Sequence, residues 1–482
     1  MGLPSPKGIQ LEVLDLPPRG HNVILGTAGS GKTTLAIWRS MYLAKLNKNE
    51  KVLLVTFNTT LVKYLDAIAG TELVNVDVRN YHKFARGYLN SKGLIPGYRR
   101  IVSGIEDGDN KKLIIVREAI KNVIARIGSN STLRRNENIF LEEISWIEKM
   151  GISTLDEYEG LERVGRANTR INRENRKFFF EVYTEYLKLR KEQGYLYDWD
   201  DIATTVYQTL INDGTPRMYK HIVIDEGQDL SPMMLRSLAV SIPEDGSLTF
   251  FGDVAQQIYG GRISWRDAGL KIQKNKIWRF DRNYRNSKEI AEFALELSKS
   301  KYYMNESDLV EPIMPTASSP KPAVIRFQDE ISELEWIVNN ATIASQNQQV
   351  AILVRDRETV NNVEAALRKK GIWPQVLKSS MPNVNTMANL SIGTYHSAKG
   401  FEFDFVFLPF CSFARIPNEE RVLACEGREE ALKDEIKLLY VAVTRTKQRL
   451  ILSYTGEKSD LLPESRSELY IEREIGRSDG NK

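Results

Sequence analysis

Cysteine is almost missing from this sequence. Cys411 and Cys425 are the only two in 482 residues, too few for a disulfide framework or a four-thiolate metal site. Histidine is scarce as well, and none of the four present, His21, His82, His221 and His396, sits in a metal-ligand spacing. Long apolar runs are absent: nothing approaches the ~20 residues that span a bilayer, and the opening stretch lacks the apolar segment of a signal peptide. A membrane-embedded or secreted chain is therefore not expected, and a cytoplasmic one is. One-sided charge is lacking too, since 67 basic and 63 acidic residues leave a formal charge of +4, which permits a nucleic-acid partner without arguing for one. Internal repeats and low-complexity tracts are not found. What remains, 42% hydrophobic and 27% charged, is the composition of an ordinary soluble protein with room for roughly two to four domains.

The useful signal is local. GTAGSGKTT, residues 26 to 34, follows the apolar run NVIL and precedes TTLAIWRSMYLAKL, whose apolar spacing is helical. Strand, glycine-rich loop and helix are the context in which successive backbone N–H groups turn inward around phosphate oxygens. Gly26, Thr27, Ala28, Gly29, Ser30, Gly31, Lys32, Thr33 and Thr34 are thus candidate nucleotide contacts. Lys32 is placed to reach the outer phosphates and Thr33 to hold Mg²⁺. A bare glycine-rich turn is the competing reading. A cradle alone hydrolyses nothing; the reaction also needs a carboxylate for the metal and a group that orients water. HIVIDEGQD supplies both at the carboxyl end of an apolar strand, Asp225 for Mg²⁺ and Glu226 for the attacking water.

The chain alternates short apolar strands with helices twice, the rhythm of helix-covered parallel sheets. NVILG, KVLLVTF, HIVIDE and SLTFFGD make the first series; AVIRF, QVAILVR, LSIGTYH, DFVFLPF and RLILSY make the second. Inside the first series, between KVLLVTF and HIVIDE, NKKLIIVREAIKNVIARIG, NIFLEEISWIEKMG and KFFFEVYTEYLKLRKEQG carry helical periodicity with charged outer faces. The expected division is a first α/β core over 1–86 and 195–280, a helical insertion over 87–194, and a second α/β core over 281–482. PIMPTASSPKPA reads as a surface connection, and the polar tail after Thr455 as loosely held.

GTAGSGKTT, VIDEGQD, FFGDVAQQIYG, RNYRN, GTYHSAKGFEFDFV and LLYVAVTRTK, in that order, resemble the motif series of the UvrD/Rep-like superfamily 1A helicases. The resemblance covers residues 10 to about 454. It implies two RecA-like P-loop cores that bind ATP and Mg²⁺ in the cleft between them and step 3′ to 5′ along single-stranded DNA, with RNA left open as the track. By the same resemblance Gln10 reads the adenine edge, Gln256 senses the γ-phosphate, Tyr284 packs on adenine and Glu402 holds the ribose. Arg285 and Arg445 contact the γ-phosphate from the second core. Thr56, Phe57, Asn58, His82, Tyr259, Arg262, Thr394 and His396 line the nucleic-acid strand, where aromatic faces stack bases without regard to sequence. Each aromatic also has a plainer reading as half-buried packing. The basic run RVGRANTRINRENRK suits a solvated helix face as well as a phosphate patch, and YLYDWDDIA reads as structural.

One departure stands out. Relatives carry a large helical insertion between the arginine of NYR and the HSAKG motif, whereas Arg285 to His396 leaves chain only for the α/β core. A second accessory subdomain is thus expected to be missing, and the chain beyond the last apolar strand is too short for a nuclease domain. That shortness supports a second reading, an ATP-gated clamp or adaptor serving a partner nuclease.

Overall fold

The computed structural model describes residues 5–6, 9–27, 29–56, 75–95, 101–102, 111–161, 171–253, 268–272, 277–280, 285–303, 314–377, 389–425, 427–464 and 468–476. Two parallel sheets dominate it. The first runs in the order β3 (Val76–Arg79), β2 (Val52–Val55), β6 (His221–Ile224), β7 (Ser247–Gly252), β1 (Gly20–Gly26), β8 (Ile277–Phe280). The second runs β11 (Gln375–Val376), β12 (Leu390–Thr394), β10 (Val350–Val354), β13 (Phe403–Leu408), β14 (Thr446–Thr455), β9 (Ala323–Phe327), β15 (Ile471–Ile475).

Burial explains why the central strands are nearly continuous apolar runs. VLLV of β2 and VAILV of β10 are buried at every position, as strands covered on both faces must be. Alternation then divides each strand between two cores. Val23 and Leu25 join Leu53, Val55, Ile222 and Ile224 on one face of the first sheet, while Ile24 joins Leu54 and Val223 on the other. Ala351 and Leu353 pack into one core of the second sheet, Val350, Ile352 and Val354 into the other. Among the described residues no helix is long and apolar enough to cross a membrane.

A separate core is built by the helices Lys111–Ile127, Glu137–Met150, Leu155–Gly160 and Arg173–Glu192. Phe140 and Phe179 stack at its centre, ring centroids 4.4 Å apart. Its base is closed by charge rather than by apolar packing. The Lys112 ammonium lies 2.7 Å from Glu148, 2.9 Å from Asp198 and 2.9 Å from Asp200; Arg190 reaches Asp201 at 2.7 Å, and the Tyr186 hydroxyl donates to Asp198 at 2.7 Å. Glu148, Asp198 and Asp200 converge as a metal-binding set would, but the cation at their centre is Lys112. Burial alone would lower the pKa of that lysine, yet Asp198, Glu148 and Asp200 hold it well above the ordinary value. Two of these carboxylates belong to YLYDWDDIA, which pins the helical unit to the strand β5 (Tyr197–Asp198), itself paired with β4 (Ile101–Val102).

The tail departs from expectation. After Thr455 the chain forms β15, which pairs in parallel with β9. Tyr470 ahead of it is 1% exposed, set edge-on to Phe293 at 6.0 Å. The charged side chains of IEREI hide the strand from a hydropathy reading, because backbone pairing to the sheet edge and the Tyr470 anchor hold it, not side-chain burial.

The ionic seam yields a stability prediction. Lys112→Met removes the shared cation of the buried Glu148 and Asp198 and the half-buried Asp200 and is expected to cost about 3–5 kcal/mol, read by urea denaturation followed by circular dichroism. A loss under about 1 kcal/mol would show that the seam is not what fastens the helical unit.

Candidate active site

The loop after β1 folds around its own lysine. Gly29 and Gly31 take left-handed φ values of 77° and 84°, and the helix Lys32–Leu46 starts directly behind them. A side chain on Gly26 would bring its Cβ within 2.5 Å of Ser30 Oγ and 3.1 Å of Phe280 Cβ, so only glycine lets the loop close this tightly. Lys32 Nζ donates to the Gly26 carbonyl at 2.9 Å and the Thr27 carbonyl at 2.7 Å, and lies 3.8 Å from the Asp253 carboxylate. Burial lowers its pKa, against the pull of Asp253 and Glu226. The buried hydroxyls of Thr27 and Ser30 have no hydrogen-bond partner, which fits a loop shaped to receive an anion's oxygens. The Gln10 amide donates to the Ser30 carbonyl at 3.2 Å, placing that residue against the same loop.

Opposite the lysine, β6 delivers the acid pair. Thr33 Oγ1 donates to Asp225 Oδ1 at 3.1 Å and Thr56 Oγ1 to Asp225 Oδ2 at 3.3 Å. Burial, with the charge of Glu226 beside it, pushes the Asp225 carboxyl up to about 7. Glu226 stands at φ 54°, ψ 41°, a left-handed conformation costly for a residue with a side chain. The turn behind it is set by packing, since a Cβ on Gly227 would fall 2.1 Å from a carbon of the Phe250 ring. Gln228 completes the turn by donating to Glu226 at 2.5 Å and accepting from the Asp253 amide at 2.9 Å. Burial would raise the Glu226 carboxyl, but Lys399, Lys32 and Arg445 together hold it below its ordinary value.

Two of those three cations come from the second sheet. Arg445 is fully buried, with Nε donating to the Val441 carbonyl at 3.1 Å. Burial lowers its pKa to about 10, Arg285 adding to the effect while Glu226, Glu402 and Asp253 oppose it. Arg285 donates through Nε to Glu402 at 2.6 Å, and Lys447 lies 3.6 Å from the same carboxylate. A cavity of about 880 Å³ opens beside Arg285, between Ser287, the 314–320 connection and Lys447. Lys399 forms an ion pair with the buried Asp229, which burial raises to about 6. Lys32, Asp225 and Glu226 of the first sheet thus share one field with Arg285, Arg445, Lys399 and Glu402 of the second.

Several sequence-assigned side chains make contacts that the sequence does not foreshadow. Thr56 is buried with its hydroxyl on Asp225, so it braces the acid pair. His82, at the start of the helix Tyr81–Ser91, sits edge-on to Trp199 at 5.0 Å. Glu402, expected at a ribose, is occupied by Arg285 and Lys447. Thr394 and His396 lie together at the carboxyl end of β12, where Thr394 Oγ1 accepts from the Ser397 amide at 3.1 Å. Burial, reinforced by Lys399, lowers the His396 pKa to about 4, leaving a neutral imidazole at neutral pH. Ala28, Phe57, Asn58, Gln256, Tyr259, Arg262 and Tyr284 lie outside the described residues. Asp229, Asp253, Gln228 and Lys399 had no role in the sequence reading, although DEGQD, FFGD and HSAKG contain them. Apart from Glu226 beside Gln228, their partners are too far off in the chain for spacing to reveal.

Comparison with known proteins fits this geometry. The UvrD/REP helicase N-terminal domain matches residues 8–281, and the UvrD-like helicase C-terminal domain matches 278–381 and 375–457. The chain belongs to the UvrD/Rep-like helicases. A probable DNA helicase of Mycoplasma pneumoniae is 23% identical, covering 90% of this chain and 80% of its own. UvrD2 of Mycobacterium tuberculosis is 22% identical over 92% of this chain and 78% of its own. DNA helicase IV of Escherichia coli is 23% identical over 90% and 66%. The UvrD2 alignment runs to 560 positions against a chain of 482, so that relative carries segments with no counterpart here. This UvrD/Rep-like helicase is accordingly an enzyme of the helicase/ATPase class, with its two sheets as RecA-like domains.

The Gly227 contact gives a test of how the acid turn is held. Gly227→Ala is expected to destabilise the protein by about 1–3 kcal/mol through overpacking, with Gly227→Ala/Phe250→Leu recovering part of the loss in thermal denaturation. An alanine variant as stable as wild type would mean that the Phe250 ring does not set the turn.

Proposed function

We propose that this UvrD/Rep-like helicase hydrolyses ATP between its two RecA-like domains and uses the cycle to move 3′ to 5′ along single-stranded DNA, unwinding duplex ahead of it. The supporting observation is the mixed cluster at the cleft, in which Lys32, Asp225 and Glu226 from the first sheet meet the fields of Arg285 and Arg445 from the second. The division is proposed as 1–86 and 195–280 for the first core, 87–194 for the helical insertion and 281–482 for the second core.

Each group then has a task. Lys32 exchanges the carbonyls of Gly26 and Thr27 for the outer phosphates, and the hydroxyls of Thr27 and Ser30 donate to phosphate oxygens. Thr33 and Asp225 would hold Mg²⁺, which when bound screens the phosphate charge; the Thr33–Asp225 contact places the two donors side by side. Glu226, kept ionised by its three cations, orients and deprotonates the attacking water. Arg285 and Arg445 neutralise charge growing on the transferring phosphoryl group. Gln10 reads the base, with Tyr284 against it, and Gln256 reports the γ-phosphate. When ATP enters, Glu402 gives up Arg285 and turns to the ribose. Because the arginines and the cradle sit on different domains, neutralising the phosphates draws the domains together, and that motion is the step along DNA. Thr394 and His396 contact the strand on the second core, and Phe57, Asn58, His82, Tyr259 and Arg262 continue the track on the first.

ATP turnover is expected to rise steeply with single-stranded DNA and to fall to background in Lys32→Ala and Glu226→Gln. Arg445→Ala is expected to lose on the order of 10³-fold in kcat, measured by phosphate release. Equal turnover with and without DNA would overturn the reading. Direction is tested by displacement of a fluorophore from either end of oligonucleotides of increasing length. A lag that grows with length at the 5′ end supports 3′ to 5′ movement; no length dependence at either end describes a static clamp.

A further inference from the structure

Arg285, Glu402 and Arg445 come from three segments far apart in the chain, and a functional cleft needs all three in fixed register. Arg285 precedes the helix Lys288–Ser298, Glu402 precedes β13 and Arg445 precedes β14. The segments are laced together by hydrogen bonds from the residues next to them. The Phe403 amide donates to the Arg445 carbonyl at 2.9 Å, and the Ser287 amide donates to the Lys447 carbonyl at 3.0 Å. Between these backbone ties sits a single side chain, Asn286, which is 3% exposed. Its Nδ2 donates to the Thr444 carbonyl at 3.2 Å and the Thr446 carbonyl at 2.5 Å, one on each side of Arg445.

The chemistry suits an amide here. The two acceptors are carbonyl oxygens, so the group between them must donate twice from one atom, which a primary amide does and a hydroxyl cannot. Both bonds are buried, where an unmade bond costs most. Asn286 is bonded covalently to Arg285 and grips the turn that carries Arg445, so the two guanidinium groups are held as one unit.

We propose that Asn286 is a positioning residue for phosphoryl transfer: it sets the spacing between Arg285 and Arg445 so that both meet the same phosphoryl group. The proposal rests on the reading above that those arginines act at the γ-phosphate. In this role Asn286 acts through the two arginines rather than on the nucleotide. Its loss therefore weakens transition-state binding far more than ground-state binding, since a displacement near 1 Å in a remote support can cost about 10²-fold in rate.

The test compares ADP with its aluminium fluoride complex, which mimics the transferring phosphoryl group, using a fluorescent ADP on the full-length chain with Mg²⁺ and single-stranded DNA. Asn286→Ala is expected to weaken the aluminium fluoride complex about 10-fold or more while ADP changes less than about 2-fold, with kcat falling and KM nearly constant. Asn286→Ser, which keeps one donor, is expected to fall between alanine and wild type. A merely structural role would weaken both ligands equally, and that result, or no change in either, overturns the proposal. Should the alanine variant not fold, the serine variant carries the same comparison. Arg445→Ala, measured alongside, separates the two levels. If only Arg445→Ala loses the preference for the fluoride complex, the Asn286 proposal alone fails; if neither does, the reading of the arginines fails with it.

Discussion

Everything in this cleft depends on how charge is balanced away from water. Lys32, Asp225, Asp253, Arg445 and Asp229 are all buried, and an isolated ion at such depth would neutralise itself or force the fold open. Glu226 and Arg445 stay charged because each sheet completes the other's balance. Glu226 is held ionised by Lys399 and Arg445 from the second sheet as well as Lys32 from the first, and Arg445 keeps its charge against burial with the help of Glu226 and Asp253. A ligand carrying several negative charges reorders this balance more strongly than any rearrangement of side chains. Under the proposed function, binding and closure are therefore one electrostatic event.

The architecture makes such an event mechanical. Parallel strands present their ends as rigid rims. In the first sheet the cradle and the acid pair leave the carboxyl ends of β1 and β6; in the second, Glu402 and Arg445 enter the amino ends of β13 and β14. Charged groups of the two rims act on one another, so the closure proposed above would move whole sheets rather than loops. Glu226 adopts a left-handed backbone conformation directly at the acid pair, held there by the Phe250 ring and by Gln228. Phe410, the other described non-glycine residue with positive φ, follows β13, its amide bonded to the buried Glu333 at 2.8 Å.

The helical unit is fastened differently. Its seam is ionic, through Lys112 and Arg190, and it reaches the second domain through Arg421, which pairs with Glu142 of the unit and Asp434 of its own domain. A polar seam is more specific in register than an apolar one and less costly to separate in water.

The sequence by itself determined the working loops and the sheets that carry them. The spacing of Gly26, Gly31, Lys32 and Thr33, and the acids after HIVI, are chemical requirements met within a few consecutive residues, and fully buried parallel strands announce themselves as unbroken apolar runs. Resemblance to the helicase motif series added Arg285, Glu402 and Arg445, which no local pattern picks out. Tertiary structure alone decided the pairings: Thr56 on Asp225 across 169 residues and Lys399 on Asp229 across 170, Arg285 on Glu402, and Asn286 on the turn around Arg445. It also turned a polar tail into an edge strand. The physical reason is the same in each case. Periodicity and spacing report what a segment buries, whereas the partner of a buried charge or amide is set by which distant segment the fold brings alongside it.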